Sequence, residues 1–387
     1  MSKYLCPFCI KEVDTLDRVC KCENCNKEIE VELKEPSAIS SKLFGERQQL
    51  HVCSKCGTTL TFFCPNPECG KRVPRFIETN ADIIIGVVGP KGVGKSQYIT
   101  VLINLLESEL TREFGLTLTS ATDETTKIFD NNYRTLYDRL EVIPETLQLA
   151  ANVELGGEPQ IFYLNKARSI LGNKSVTLIF YDTAGEDLHD MKNIMSTKIS
   201  RYLAHATGII YLVDPLQTET VRRRLILNGT LPEMGDDVTG NLNLISRIIR
   251  ETRGIKPNEM INTKLAVVLT KCDVLMKEAG AGESEIVFDT NSSIHVPRKQ
   301  SVYDEDNIRL VSKEVEEYIH LITRGRFAQH VTGNYRSHMY FMASALGQNP
   351  NGPKLNHEPT PFRVEDPMIW LLKETNSGAI SGTILKR

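Results

Sequence analysis

Three glycines, two lysines and a hydroxyl are packed into eight residues at Gly89-Pro90-Lys91-Gly92-Val93-Gly94-Lys95-Ser96. Glycines let backbone N–H groups converge on anionic oxygens, and the helix expected to follow turns its positive end toward them. Lys95 is placed to neutralise the β- and γ-phosphates of a nucleotide, and the Ser96 hydroxyl to hold Mg²⁺. The candidate phosphate contacts are Gly89, Lys91, Gly92, Val93, Gly94, Lys95, Ser96 and Gln97. Lys91 is unusual at its position, which is often small. It either points to solvent or adds a cation near the outermost phosphate.

A second chemistry lies upstream. Nine of the ten cysteines precede residue 70. Eight of them fall in close pairs, with Cys20 left over: Cys6-Pro7-Phe8-Cys9, Cys22 with Cys25, Cys53-Ser54-Lys55-Cys56, and Cys64 with Cys69. Tetrahedral zinc takes four soft ligands, delivered as two pairs on two tight turns. Clustered cysteines in a reducing compartment mean metal more often than disulfides. Grouping neighbours gives one Zn²⁺ to Cys6, Cys9, Cys22 and Cys25 and another to Cys53, Cys56, Cys64 and Cys69. Cys20 is an alternative to Cys22, and His51 is a minor competitor in the second site. The pattern resembles zinc ribbons, here over residues 1–34 and 48–76. Through Glu78 the head carries 12 Lys+Arg against 11 Asp+Glu, which favours a protein-docking role over a nucleic-acid reader.

The elements that must position these residues are legible as apolar runs. Ala81–Val88 is β-branched and apolar, as a buried strand should be, and it feeds the glycine-rich loop. Gln97 to Glu109 then has helical periodicity. Val176–Tyr181 is a second strand, ending in Asp182-Thr183-Ala184-Gly185-Glu186. An acid there can hold Mg²⁺ through water, and the Gly185 amide can sense a γ-phosphate. Ile161–Ala167 is another strand, joined to it through Gly172-Asn173 as a hairpin. Gly208–Asp214 and Leu265–Leu269 follow, the latter ending in Thr270-Lys271-Cys272-Asp273. The Asp273 carboxylate can accept from the N1 and N2 donors of guanine, with the Lys271 stem along the base. Adenine offers no matching pair, a mismatch that discriminates on the order of 10⁴-fold. Met339–Met342 is a last strand, and the backbone at Ser344, Ala345 and Leu346 is placed for the guanine oxygen.

These motifs, in this order and each at a strand end, resemble the Ras-like, TRAFAC-class P-loop GTPases over residues 80–350. The resemblance implies an α/β fold: a mostly parallel Rossmann-like sheet with flanking helices, the hairpin's outer strand antiparallel, and nucleotide at the carboxyl edge. It implies GTP/GDP and Mg²⁺ as ligands and Mg²⁺-dependent GTP hydrolysis. Lys95, Ser96, Asp182, Gly185, Lys271, Asp273 and Ala345 then take the roles given above. The switch threonine is assigned to Thr146, as a Mg²⁺ and catalytic-site residue, with Thr125 and Thr122 as rivals. Glu186 stands where many relatives carry a water-positioning glutamine. That predicts slow hydrolysis, accelerated by a partner or by a nucleotide-dependent dimer. With the zinc head and the tail, the chain is similar to bacterial double-GTPase-type conflict and stress-signalling GTPases. The function implied is a regulatory switch. The alternatives are a nucleic-acid- or ribosome-associated GTPase, or a GTP-binding scaffold with little turnover.

The bulk composition is close to that of an average globular protein. The chain has 387 residues, 41% hydrophobic and 25% charged, with a net charge of −3, so nothing marks a general polyanion binder. No run approaches the ~20 apolar residues of a membrane helix, and the first residues lack a signal peptide's apolar core. The expected location is cytoplasmic, without membrane contact. The polar stretch Met276 to Asp306 reads as a mobile insertion, and 351–387 as a C-terminal extension. Together with the zinc ribbons, that extension is expected to engage protein partners.

Overall fold

The computed structural model describes residues 3–14, 17, 19–25, 27–28, 53, 55–74, 81–144, 158–166, 175–182, 198–224, 238–276, 288 and 291–375. The head contributes β1 (Lys3–Leu5), β2 (Glu12–Asp14), β3 (Val19–Cys22), β4 (Lys27–Glu28) and β5 (Thr61–Phe63). The remaining strands are β6 (Ala81–Val88), β7 (Leu116–Ser120), β8 (Gln160–Lys166), β9 (Ser175–Asp182), β10 (Gly208–Val213), β11 (Lys264–Leu269) and β12 (His338–Met342). They form one seven-stranded sheet in the order β12-β11-β10-β6-β9-β8-β7. The pairs from β12 through to β9 are parallel, while β8 runs antiparallel to both β9 and β7. The mostly parallel α/β sheet and the antiparallel hairpin are therefore present. The edge strand β7 is an addition: its alternation Leu116, Leu118 inward and Thr117, Thr119 outward is the half-buried pattern of an edge.

The sheet is covered on both faces, which is why its central strands read as continuous apolar runs. Side chains alternate along β6. Ile83, Ile85 and Val87 join one core cluster, and Ile84 and Val88 join the other. The first face receives α1 (Lys95–Leu105), with Tyr98, Ile99 and Leu102 buried. That helix continues through a wider-turned segment, Leu106–Leu110, into α2 (Thr111–Phe114), stopped by Gly115. Next along the chain come α3 (Asp123–Tyr133), α4 (Lys198–His205), α5 (Glu219–Arg224), α6 (Val238–Arg253), α7 (Asp273–Met276), α8 (Glu305–Ile322), α9 (Arg326–Asn334) and α10 (Asp366–Glu374). Residues of α4, α6, α8 and α9 fill the second face, and those of α3 and α10 the first. None of the helices among the described residues is long and apolar enough to cross a membrane.

Two segments sit deeper than their composition suggests. The tail beyond residue 350 is core: Val364, Met368, Ile369, Trp370, Leu371 and Leu372 are almost fully buried. Trp370 lies against Phe341 with ring centroids 5.8 Å apart, and Tyr98 donates to the Val364 carbonyl. The described part of the extension thus helps complete the core beneath the seven-stranded sheet. The stretch read as a mobile insertion is also corrected from Asn291 onward. Ile294 is buried, and the nearly buried Arg298 guanidinium pairs with Glu113, Glu365 and Asp366. Arg363 donates to the carbonyls of Ile294 and Val296. Two arginines thereby tie this polar sequence to α2 and α10.

Candidate functional site

The phosphate loop takes the form that its glycines require. Gly94 caps α1 at φ 94°, a left-handed angle that a side chain would strain. A Cβ on Gly89 would lie 2.8 Å from the Leu212 carbonyl, so only glycine lets the loop pass β10 this closely. Lys95 is buried, and its Nζ donates to the carbonyls of Gly89 and Pro90 at 3.0 Å each. The ammonium is thereby held inside the curve of the loop. Ser96 sits in the first turn of α1, and Val93 packs beneath the loop. Lys91 is exposed at the tip, and its carbonyl accepts from Gln217 Nε2 at 2.6 Å. The Gln97 side chain is engaged elsewhere: its Nε2 donates to the Ile143 carbonyl at 3.0 Å.

The strand ends converge as their parallel order requires. Asp182 pairs in register with Val87, which sets its backbone beside the exit of β6 into the loop. On the other side the ladder continues past the named strands. Thr270 N–H donates to Val213, Ala343 N–H to Leu269, and Cys272 N–H to Ala343. This brings Thr270-Lys271-Cys272-Asp273 against Ser344-Ala345-Leu346. The Ser344 hydroxyl donates to Asp273 Oδ1 at 2.6 Å and accepts from Gly347 N–H at 2.9 Å. One carboxylate oxygen is thus fixed by a buried serine. Lys271 adopts φ 52°, and its Nζ reaches the Gly92 carbonyl at 3.1 Å. Cys272 is fully buried, with its thiol pushed well above the usual range by burial, and it serves as core.

Thr146, Gly185 and Glu186 lie outside the described residues. The rivals for the switch threonine have other employment. Thr122 caps α3, its Oγ1 accepting from Thr125 N–H, and Thr125 is fully buried and accepts from Ile161 N–H. Sequence reasoning missed Asp214 and Gln217, in the turn just after β10. Asp214 is fully buried and pairs with Lys271 Nζ at 2.6 Å. A carboxylate placed directly after an apolar strand was the available signal.

The cysteines form two groups of four, and the partition differs from the one expected from sequence neighbourhood. Cys6, Cys9, Cys64 and Cys69 form one group, and Cys22, Cys25, Cys53 and Cys56 the other. The cause is strand pairing. β5 runs antiparallel to β3, with Val19 opposite Phe63 and Lys21 opposite Thr61. Cys64, leaving β5, is carried back to the start of β3 and the β1–β2 hairpin. Cys22, leaving β3, is carried to the entry of β5. The two stretches therefore interleave across one three-stranded sheet, β4-β3-β5. Cys20 belongs to neither group and is buried opposite Phe62. His51 lies outside the described residues.

Both groups suit zinc. A tetrahedron with arms of ~2.3 Å has edges of ~3.8 Å. Cys6 and Cys69 sulfurs are 3.9 Å apart, and those of Cys9 and Cys64 are 3.8 Å apart. In the other group, the separations are 3.4 Å for Cys22–Cys56, 3.9 Å for Cys25–Cys53 and 3.6 Å for Cys25–Cys56. Burial pushes the Cys64 thiol up to about 12, while in the other group the Thr58 hydroxyl holds Cys56 down to about 6.

The inner cysteine group is built into the nucleotide domain. The Tyr181 hydroxyl, one residue before Asp182, donates to the Pro7 carbonyl between Cys6 and Cys9. Its ring stacks on Tyr202 of α4 at 4.6 Å. Tyr4, Phe8 and Ile10 share the core cluster of Tyr181 and Ile84.

The family model Double-GTPase 2 matches residues 83–304. A protein of Mycolicibacterium smegmatis carrying the description "Putative ESX-1 scaffolding and assembly protein SaeC" is 28% identical over 317 residues. The match covers 79% of this chain and 78% of that one.

Proposed function

The chain belongs to the Double-GTPase 2 family, and on that premise we propose that it is a GTP-binding, slowly GTP-hydrolysing switch with a zinc-bearing docking head. The observation that carries the reading is the Asp273 carboxylate. It is held by Ser344 at the same sheet edge where Lys271 reaches the phosphate loop. With one oxygen fixed, the carboxylate faces a base with two adjacent donors, which guanine has and adenine lacks. Lys95 and the loop amides bind the β- and γ-phosphates. Ser96 and Asp182 would hold Mg²⁺, which when bound draws charge from the phosphate oxygens. Thr146, Gly185 and Glu186 are assigned to the switch region, where Glu186 orients the attacking water. An ionised carboxylate only accepts hydrogen bonds and repels the γ-phosphate, so turnover is slow without a partner.

The two cysteine groups would hold zinc and keep the head folded. The scaffolding and assembly description of the mycobacterial relative supports protein partners for the head. It also favours a second reading, a GTP-binding scaffold with little turnover. Competition binding tests the base assignment: GTP and GDP are expected to displace a fluorescent guanine nucleotide where ATP does not. Asp273→Asn is expected to lose guanine preference and gain xanthine, whose 2-oxo group accepts from the new amide. Equal affinity of the wild type for ATP would overturn the reading. Single-turnover hydrolysis separates switch from scaffold.

A further inference from the structure

We propose that Asp214 is a positioning residue for the nucleotide site, and that the turn it opens clamps the base motif and the phosphate loop together. The proposal deepens the guanine-nucleotide reading and rests on it. Asp214 is the first residue after β10, and none of it is exposed. Its Oδ1 accepts from Leu216 N–H at 2.8 Å, which folds the short helical turn Pro215–Gln217. Its Oδ2 pairs with Lys271 Nζ at 2.6 Å. The carboxylate is therefore fixed from one side by backbone and charged toward the other.

Lys271 has a long, mobile side chain that would otherwise spread into solvent. A buried anion is costly without its cation, so the pair constrains the ammonium strongly. From that position Nζ also donates to the Gly92 carbonyl at 3.1 Å. The lysine stem is thus held beside the phosphate loop, where the base plane is expected to rest on it. Three residues after Asp214, the buried Gln217 donates to the Lys91 carbonyl at 2.6 Å. One turn therefore grips adjacent loop carbonyls by two routes: Lys91 directly, and Gly92 through Lys271. A shift of this turn moves the base platform and the phosphate cradle as one.

The test is the dissociation rate of a fluorescent GDP from the full-length protein. It compares wild type, Asp214→Asn, Lys271→Met, the double variant and Gln217→Met, each checked for an unchanged melting temperature without nucleotide. Asp214→Asn is expected to speed release on the order of tenfold, as loss of a buried charge partner does. In the Lys271→Met background it is expected to add nothing, because Asp214 acts through that lysine. Gln217→Met is expected to speed GDP release as well. Additive effects of Asp214→Asn and Lys271→Met overturn the proposal, since a residue that merely supports the fold would act independently of Lys271. An unchanged rate in Gln217→Met overturns the two-armed clamp, and this arm stands even if Asp214→Asn fails to fold. A wild type that binds no GDP overturns the guanine reading and the clamp with it. A wild type that binds GDP, with release unaltered in the variants, overturns the clamp alone.

Discussion

Replacing cysteines two at a time distinguishes the interleaved head from two independent ribbons. Each group holds four sulfurs within 4.8 Å of one another, so any one loss breaks one tetrahedral set. Cys6→Ser with Cys64→Ser strikes one group twice and should leave about one zinc per chain. Cys6→Ser with Cys22→Ser strikes both and should leave none. Ribbons built from sequence neighbours give the opposite result in each case. The stability effect follows from loop length. Cys9 and Cys64 are separated by 55 residues, and pinning a loop of that size removes ~4 kcal/mol of unfolded-state entropy. Because Tyr4, Phe8 and Ile10 share a core with Tyr181, losing the inner metal should also lower the melting temperature of the nucleotide domain. Losing the outer metal through Cys53→Ser should leave it nearly unchanged. The assay is elemental analysis of reduced, chelator-free protein, paired with denaturant melts. One zinc remaining in Cys6→Ser/Cys22→Ser, and none in Cys6→Ser/Cys64→Ser, would refute the strand-pairing argument.

Other outcomes follow from single residues. Burial pushes the Asp82 carboxyl up to about 7 from an ordinary 3.8, and Thr177 opposes this only in part. The folded state therefore holds a proton that the unfolded state has released, and stability falls as pH rises from about 4 to 7. At ~1.36 kcal/mol per pKa unit, the full penalty above pH 7 is at most ~4 kcal/mol. Asp82→Asn should abolish that slope in melts taken across pH. Trp370→Ala should cost ~3–5 kcal/mol of stability, as expected for an almost fully buried indole, measured by denaturant unfolding. Glu186→Gln should leave GTP affinity nearly unchanged while raising the single-turnover rate above a wild-type value in the ~10⁻⁴–10⁻² s⁻¹ range.

What could be read from the sequence was what is local. The phosphate loop announces itself because Gly89, Gly94, Lys95 and Ser96 do their work within eight residues of one another. The central strands show as apolar runs because both faces of the sheet are covered. The choice of partner for each cysteine pair was not local. Spacing within Cys6–Cys9 or Cys53–Cys56 fixes a turn, but which turns meet depends on β3 finding β5. Strand β7 is hard to read from sequence because its five alternating residues follow closely on a long helical stretch. The Met368–Leu372 run reads as part of an appendage because nothing nearby in the sequence shows the sheet face it covers. The Asp214–Lys271 pair joins residues 57 apart, and only the parallel order of β10 and β11 makes them neighbours.

The crossing of the two cysteine stretches has a consequence for synthesis. A chain emerging from the ribosome amino end first exposes Cys6 and Cys9 long before Cys64 and Cys69 exist. Neither centre can close until its later ligands have been made, and the group nearer the amino end waits longest, because Cys56 completes the other set before Cys69 completes this one. The seat for Pro7 arrives later still, when Tyr181 has been translated and its strand has joined the sheet. The Cys6–Cys9 turn thus finds its place only after a strand made more than a hundred residues later.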